Sequence, residues 1–424
     1  MNRLKRYENY KDSGVEWLRE IPEHWEIMKT THVFNKIGSG TTPTSTDTKY
    51  YDGEINWLQT GDLTDNIISE TSKKITYKAL KDFSTLKIYP KNSLVIAMYG
   101  ATIGKAGILD IETATNQACC VLSNAKQILE KYAFYWFLAS KNNIISMGYG
   151  GGQPNISQDL IKSLRITIPT RDEQTKIAFF LDEKTAQIDE VISQKEKLIE
   201  LLKERKQIVI NDAVTKGLDK NVEFVDSGVE WIGKIPKHWK LERLGSNFIE
   251  RREKVSDKDF EPLSVTKNGV VPQLDSAAKS NDGDNRKLVR KGDFVINSRS
   301  DRKGSSGLSK LDGSVSLINI VLKPIDINSD FSHILLKSNG FIEEFYRNGH
   351  GIVADLWTTR FWDMKSIMLA IPPKDEQIKI VEYIENQTSK IDIAIELQQN
   401  YISKLKEYKA SLIDSVVTGK VRVG

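Results

Sequence analysis

The chain has 424 residues, 39% hydrophobic and 28% charged, a globular composition too long for one ordinary core. No apolar run approaches the roughly 18–20 residues that span a bilayer. The polar start at residues 1–10 lacks the apolar stretch of a secretion signal, so a cytoplasmic location without membrane contact is expected. A net charge of +4 is too mild to identify a nucleic-acid partner, yet it permits local basic patches.

In chain order, the first distinctive stretch is Asp12-Ser13-Gly14-Val15-Glu16-Trp17, followed by Ile21-Pro22-Glu23-His24-Trp25. Residues 26–167 then read as mixed structure rich in strand. Residues 93–99 and 118–122 have the composition of buried strands, and 128–140 carry aromatic residues at helical spacing. Turns alternate with short strands from 38 to 63, and 148–156 form a loop rich in glycine and amides. The adjacent Cys119 and Cys120 can neither close an ordinary disulfide loop nor build a zinc site, and are expected in a buried strand.

A long helix is expected next. Pro169 closes the apolar stretch 164–168, and acidic Asp172 and Glu173 suit the positive end of a helix dipole. No Gly or Pro interrupts 172–216, and Gly217 ends the run as a C-terminal breaker.

The scheme then repeats. The opening returns as Asp226-Ser227-Gly228-Val229-Glu230-Trp231 and Ile235-Pro236-Lys237-His238-Trp239. Residues 240–370 share almost nothing alignable with 26–167. They contain basic 249–254, a turn and strand at 292–297 and a basic, Gly/Ser-rich loop at 298–307. The first of these segments holds one arginine, Arg165, whereas 240–373 hold nine. Ile371-Pro372, Asp375-Glu376-Gln377 and Ile391-Asp392 then match Ile168-Pro169, Asp172-Glu173-Gln174 and Ile188-Asp189, and a second uninterrupted run ends at Gly419.

Heptad spacing places Ile188, Ile192, Ile199, Leu202 and Val209 on one seam of the first helix. Ile391, Ile395, Ile402, Leu405 and Leu412 occupy the matching positions of the second. Even the polar interruptions coincide, Lys195 with Gln398 and Lys206 with Lys409. Each helix would be on the order of 65 Å long, longer than one DNA turn of about 34 Å. Two readings remain: the helices pair antiparallel as a rod with an approximate two-fold axis, or each packs on its own domain. The matched seams favour the rod. The fold class is therefore α+β, with two mixed α/β globular domains and two long antiparallel helices in an internal repeat. The expected segments are 1–170, 171–218, 219–373 and 374–424.

Enzyme signatures fail when tested against their chemistry. Ile371-Pro372-Pro373-Lys374 superficially resembles the base-holding loop of a DNA methyltransferase, but has Ile and Lys at the reacting positions. Gly100-Ala101-Thr102-Ile103-Gly104-Lys105-Ala106 is one residue short of a phosphate loop and offers no hydroxyl for magnesium. His24 and His238 lie in matched turns, as a repeated structural corner would. The five histidines show no metal-ligand spacing.

The combination resembles the specificity subunits of type I restriction–modification systems over essentially the whole chain. It rests on the duplicated opening, Gly38-Ser39-Gly40-Thr41-Thr42-Pro43, the run 50–63, Asn116-Gln117, Gly152-Gln153-Pro154-Asn155-Ile156 and the two Glu-Gln helix starts. The second half departs from the pattern, offering 349–357 in place of the Gly-Gln-Pro-Asn-Ile loop.

The resemblance implies a non-catalytic protein with no cofactor of its own. Each of two target-recognition domains would read half of a bipartite site in double-stranded DNA. A helical spacer would dock two methyltransferase subunits, which use S-adenosylmethionine, and restriction subunits with translocase and nuclease activity would join. Lys and Arg neutralise phosphates, Asn and Gln pair with adenine, and Arg pairs with guanine. Candidate DNA contacts in the first half are then Thr41, Thr42, Lys49, Tyr50, Tyr51, Lys105, Asn116, Gln117, Tyr149, Gln153 and Asn155. In the second half they are Arg251, Arg252, Lys267, Asn268, Asn297, Arg299, Arg302, Lys303, His350 and Arg360. The competing readings are a nucleic-acid-modifying enzyme with an unrecognised site and a coiled-coil interaction scaffold.

Overall fold

The computed structural model describes residues 5–149, 155–275, 283–351 and 357–424. The chain divides into two compact units, residues 1–195 with 400–424, and residues 196–399. The dividing points fall inside the two long helices, so each unit holds one globular segment and part of both helices.

In the first unit, β1 (Phe34–Ser39), β2 (Asn66–Ile68), β3 (Leu94–Ala97), β4 (Ala106–Leu109) and β5 (Cys119–Ala125) form one sheet in the order β1-β5-β3-β4-β2. All pairs are antiparallel except β2 with β4. All four residues of β3 are buried, as in a strand covered on both faces. Val95, Ala97, Cys119 and Val121 share one cluster with Leu58, Leu63 and Tyr89. Helix α1 (Glu130–Ser146) buries Tyr132, Trp136 and Phe137. Cys119 and Cys120 are free, buried thiols, and burial pushes the Cys120 thiol up to about 12. The glycine-bounded segment 100–104 is the turn between β3 and β4, with positive φ at Gly100 and Gly104.

The second unit repeats this topology without repeating the sequence. Strands β6 (Phe248–Glu250), β7 (Phe294–Asn297), β8 (Ser306–Leu308) and β9 (Asn319–Pro324) pair antiparallel in the order β6-β9-β7-β8. This matches β1-β5-β3-β4. The two-residue period is explicit: Phe294, Ile296, Ile320 and Leu322 join Phe331, Leu335, Phe341 and Phe345 in one core. Val295 and Val321 point into the opposite cluster. What the two halves share is which positions are apolar.

The long helices run Arg171–Lys216 (α2) and Lys374–Val417 (α3). In the first unit Lys409 of α3 contacts Asp189 of α2, and in the second Lys206 of α2 contacts Asp392 of α3. The early part of each helix thus meets the late part of the other, which is antiparallel packing. Every expected seam residue is buried or half-buried: Ile188, Ile192, Ile199, Val209, Ile402 and Leu412 fall below 10% exposure. Leu202, Ile391, Ile395 and Leu405 are intermediate. Outside the seam, Leu198, Leu201, Ile208, Ile393, Leu397 and Tyr401 are exposed.

The repeated motifs form the joints. Thr170 and Glu173 make a reciprocal capping box at the start of α2, with Glu173 N to Thr170 Oγ1 at 3.3 Å and Thr170 N to Glu173 Oε2 at 3.2 Å. Glu173 also receives His24 Nε2 at 3.0 Å. In the second unit Glu376 receives His238 Nε2 at 2.8 Å and Trp239 Nε1 at 3.1 Å. Each Trp of the corner also meets the end of the other helix. A Cβ on Gly419 would lie 3.1 Å from the Trp25 ring, and one on Gly217 would lie 3.0 Å from Trp239. Both glycines have positive φ, as a left-handed helix terminus requires. The Pro-x-His-Trp corner therefore grips the start of one long helix and the end of the other.

Candidate nucleic-acid interface

In the first unit the loops after β1 and before β5 are locked together. A Cβ on Gly40 would sit 1.7 Å from the Thr115 carbonyl oxygen, so only glycine permits this approach. Gly40 N donates to the Asn116 carbonyl at 3.3 Å, and the exposed tips join where Thr42 Oγ1 donates to Gln117 Oε1 at 2.6 Å. Asn116 turns its side chain inward, accepting Ala118 N at 3.1 Å. Thr41 contributes its carbonyl to Trp57 Nε1. Thr42, Asn116 and Gln117 thus share one rim. Lys105 is half-buried on the turn before β4, with Gly104 N and Lys105 O both bonded to Ala97.

Tyr149, 81% exposed, and exposed Asn155 form a two-way backbone bridge. Gln153 lies outside the described residues. The second unit has the same device: His350 bridges Thr358. The Met98 carbonyl accepts Ile156 N at 2.8 Å, and the Ser298 carbonyl accepts Thr359 N at 3.0 Å. His350, Thr358 and Thr359 are therefore the counterparts of Tyr149, Asn155 and Ile156, although their stretches share no motif.

Some candidates are placed in the core instead. Tyr50 is buried, its hydroxyl donating to Asp82 and its ring packed on Phe83. Tyr51 is half-buried and donates to the Pro43 carbonyl. Lys49 stays exposed and pairs with Asp47 at 2.5 Å. Arg251 holds the buried Asp293 through Nε at 2.7 Å and NH2 at 3.0 Å, so its guanidinium serves the fold. Asn297 is buried and caps Arg299 N with its side-chain oxygen.

Several cations of the second unit converge. A cleft of about 570 Å³ is lined by Arg252, Lys254, Lys287, Arg299, Arg360 and Trp362, among others. Arg252 and Lys287 both pair with Glu250, and Arg299 with Asp301. Lys254 and Arg360 have no ion pair among the described residues. Trp362 is 70% exposed, with the Lys365 ammonium over its ring. Lys254, Lys287 and Trp362 were not singled out in the sequence; only their clustering beside strands distant in the chain marks them.

A second concavity, next to the first, holds Lys267 and Arg302. Lys267 and Asn268 form the exposed tip of a hairpin, Leu263–Thr266 with Gly269–Pro272. Lys337 Nζ ties that tip to the loop after β7, donating to the carbonyls of Lys267, Gly304 and Ser306. Lys303 is drawn to Glu343 at 2.6 Å and His350 to Asp363 at 3.6 Å. Among the described residues, no three His, Cys, Asp or Glu side chains are grouped to hold a metal, and no helix is long and apolar enough to cross a membrane.

Residues 22–201 match the family model of the type I restriction modification DNA specificity domain. The MjaIX specificity subunit of Methanocaldococcus jannaschii is 29% identical, over 53% of this chain and 52% of its own length. The MjaVIII specificity subunit of the same organism is 25% identical over 98% of this chain and 96% of its own. The EcoKI specificity subunit of Escherichia coli K12 is 23% identical over 95% and 90%.

Among solved structures, a chain from a type I restriction–modification system superposes with a TM-score of 0.68 at 14% identity, covering 94% of this chain and 98% of that one. The HsdS subunit of Thermoanaerobacter tengcongensis gives 0.54 at 15% identity, covering 95% and 98%. These two share the fold. The domain match lies in the first half, while the full-length relatives make the chain similar along nearly its whole length to type I restriction–modification specificity subunits, with the duplicated corners, the paired helices and the two like sheets in keeping with that likeness.

Proposed function

We propose that this chain is the non-catalytic reader of a bipartite DNA site, each globular unit recognising one half. The observation that carries the reading is the pairing of like topology with unlike loops: the same strand order presents Thr42, Gln117, Lys105 and Tyr149 in one unit and Arg299, Arg360 and Lys254 in the other. Two sequences are then read by one kind of scaffold. Exposed Lys and Arg would supply the salt-dependent phosphate term, and amide and guanidinium groups the base contacts.

The long helices would set the gap between half-sites. The apolar residues exposed outside their seam, such as Leu198, Leu201, Leu397 and Tyr401, suit docking of methyltransferase subunits. Restriction subunits would complete the complex. S-adenosylmethionine would belong to the methyltransferase, this chain needing no cofactor. A cytoplasmic site of action follows from DNA as the target.

The test is to map methylated adenines across the source genome with this gene present and deleted. A two-part motif that vanishes on deletion supports the reading; an unchanged methylation pattern refutes it.

A further inference from the structure

Arg299 and Arg302 are equally eligible guanine readers by sequence, but their surroundings differ. Asp301 takes the Arg299 side edge with both carboxylate oxygens, Nε at 2.9 Å and NH2 at 3.1 Å. A guanidinium carries five N–H groups in a rigid plane, so Asp301 engages two and leaves the terminal NH1–NH2 edge, two parallel donors, directed away from the carboxylate. That edge matches the O6 and N7 acceptors of guanine in the major groove.

The backbone is fixed as well. Arg299 N is capped by Asn297 Oδ1 at 3.1 Å, Arg299 bridges Thr358, and Ser300 N donates to the Trp357 carbonyl. Arg299 opens onto the cleft whose Lys254 and Arg360 lack ion pairs among the described residues, so phosphates can be neutralised beside it. Arg302, by contrast, is 69% exposed, and its Nε is 3.8 Å from Asp301. A held fork loses less conformational entropy on binding than a free one.

We propose that Arg299 reads a guanine in the half-site of the second unit and that Asp301 is its positioning residue. The inference rests on the DNA-reading function proposed above. It is tested with the complex purified from the source organism through a tag on the full chain, by selection from a randomised duplex library and sequencing. The wild-type complex is expected to enrich a motif with a guanine. Arg299→Lys keeps the charge but loses the fork, and should lower preference at that one position by about five- to a hundredfold. Affinity for a scrambled duplex should change less than about threefold.

Asp301→Asn should weaken preference at the same position, and the double variant should be no worse than Arg299→Lys alone. Arg302→Lys, with melting temperature recorded for every variant, serves as control. The assignment is overturned if Arg299→Lys leaves every position unchanged or weakens all sequences equally. It is also overturned if Arg302→Lys is the variant that relaxes a guanine. If the wild-type complex enriches no motif, the DNA-reading function itself fails; a wild-type motif with unaltered variants rejects only the assignment to Arg299.

Discussion

Lys206 of α2 pairs with Asp392 of α3 at 2.7 Å, and Lys409 of α3 repeats the contact with Asp189 of α2 at 2.6 Å. The four residues occupy matched positions in the two halves, and each pair lies within one compact unit. The lysines are the polar interruptions of the heptad seam. The aspartates are more than half exposed, so each pair is worth at most about 1 kcal/mol, and its larger role is to fix register.

Asp189→Lys should therefore lower stability by about 1 kcal/mol through like charges, and Asp189→Lys with Lys409→Asp should restore most of it. Urea unfolding at low salt measures both. Equal losses in the single and double variants would remove the pairing from the account of register.

Arg251 lies in a basic stretch, which makes it a candidate DNA contact by sequence. Its partner Asp293 has a side chain 3% exposed, and removing one member of such a pair leaves an unpaired buried charge. Arg251→Met should cost about 3–5 kcal/mol in denaturant unfolding, while the folded fraction keeps its base preference. Altered base preference with unchanged stability would return Arg251 to the interface.

The internal repeat exposes a local strain. Arg19 has φ +58° in the turn where its counterpart Gly233 has +71°, and both turns close alike, Ser13 N to the Arg19 carbonyl and Ser227 N to the Gly233 carbonyl. The left-handed region costs a side-chain-bearing residue about 1–2 kcal/mol, partly offset by the greater freedom of glycine when unfolded. Arg19→Gly should raise stability by about 0.5 kcal/mol and Gly233→Ala should lower it by about 1 kcal/mol. Thermal melting of the two variants, shifting in opposite directions, checks the pair.

The architecture was legible because duplication makes each element its own control: the corners, the helix starts and the seam all appear twice. The purpose of Gln174 and Gln377 was not. Both are 1% exposed, and each knits the end of a strand to the start of the globular helices. Gln174 bonds Leu129 N, Gln127 O and Pro169 O; Gln377 bonds Asn328 N and Pro372 O. A glutamine in a helix start reads as polar surface until its long-range partners are known. The candidate interface was legible only in part for the same reason. A basic residue next to a carboxylate two positions away, like Arg299, cannot be told by composition from one facing a buried carboxylate 42 positions away, like Arg251.

His333 should give the second unit a pH dependence. Its Nδ1 accepts Leu308 N at 3.1 Å, which requires that nitrogen to be unprotonated, so β8 is held by a neutral ring. Burial depresses the imidazole's affinity for a proton, and the nearby Lys337 depresses it further, outweighing Asp330. The unfolded chain therefore takes up the proton first as pH falls. The stabilisation is fully present above the usual imidazole value of about 6.5 and is lost as pH drops below it toward the lowered folded value. Melting temperature should thus decline between about pH 7 and 5, with the contacts of β8 to the helix Ser329–Lys337 loosening before the rest by amide exchange. His333→Gln offers an uncharged acceptor and should flatten that decline, at a cost of about 1 kcal/mol at neutral pH for poorer geometry. The same slope in wild type and variant would assign the acid sensitivity to other groups.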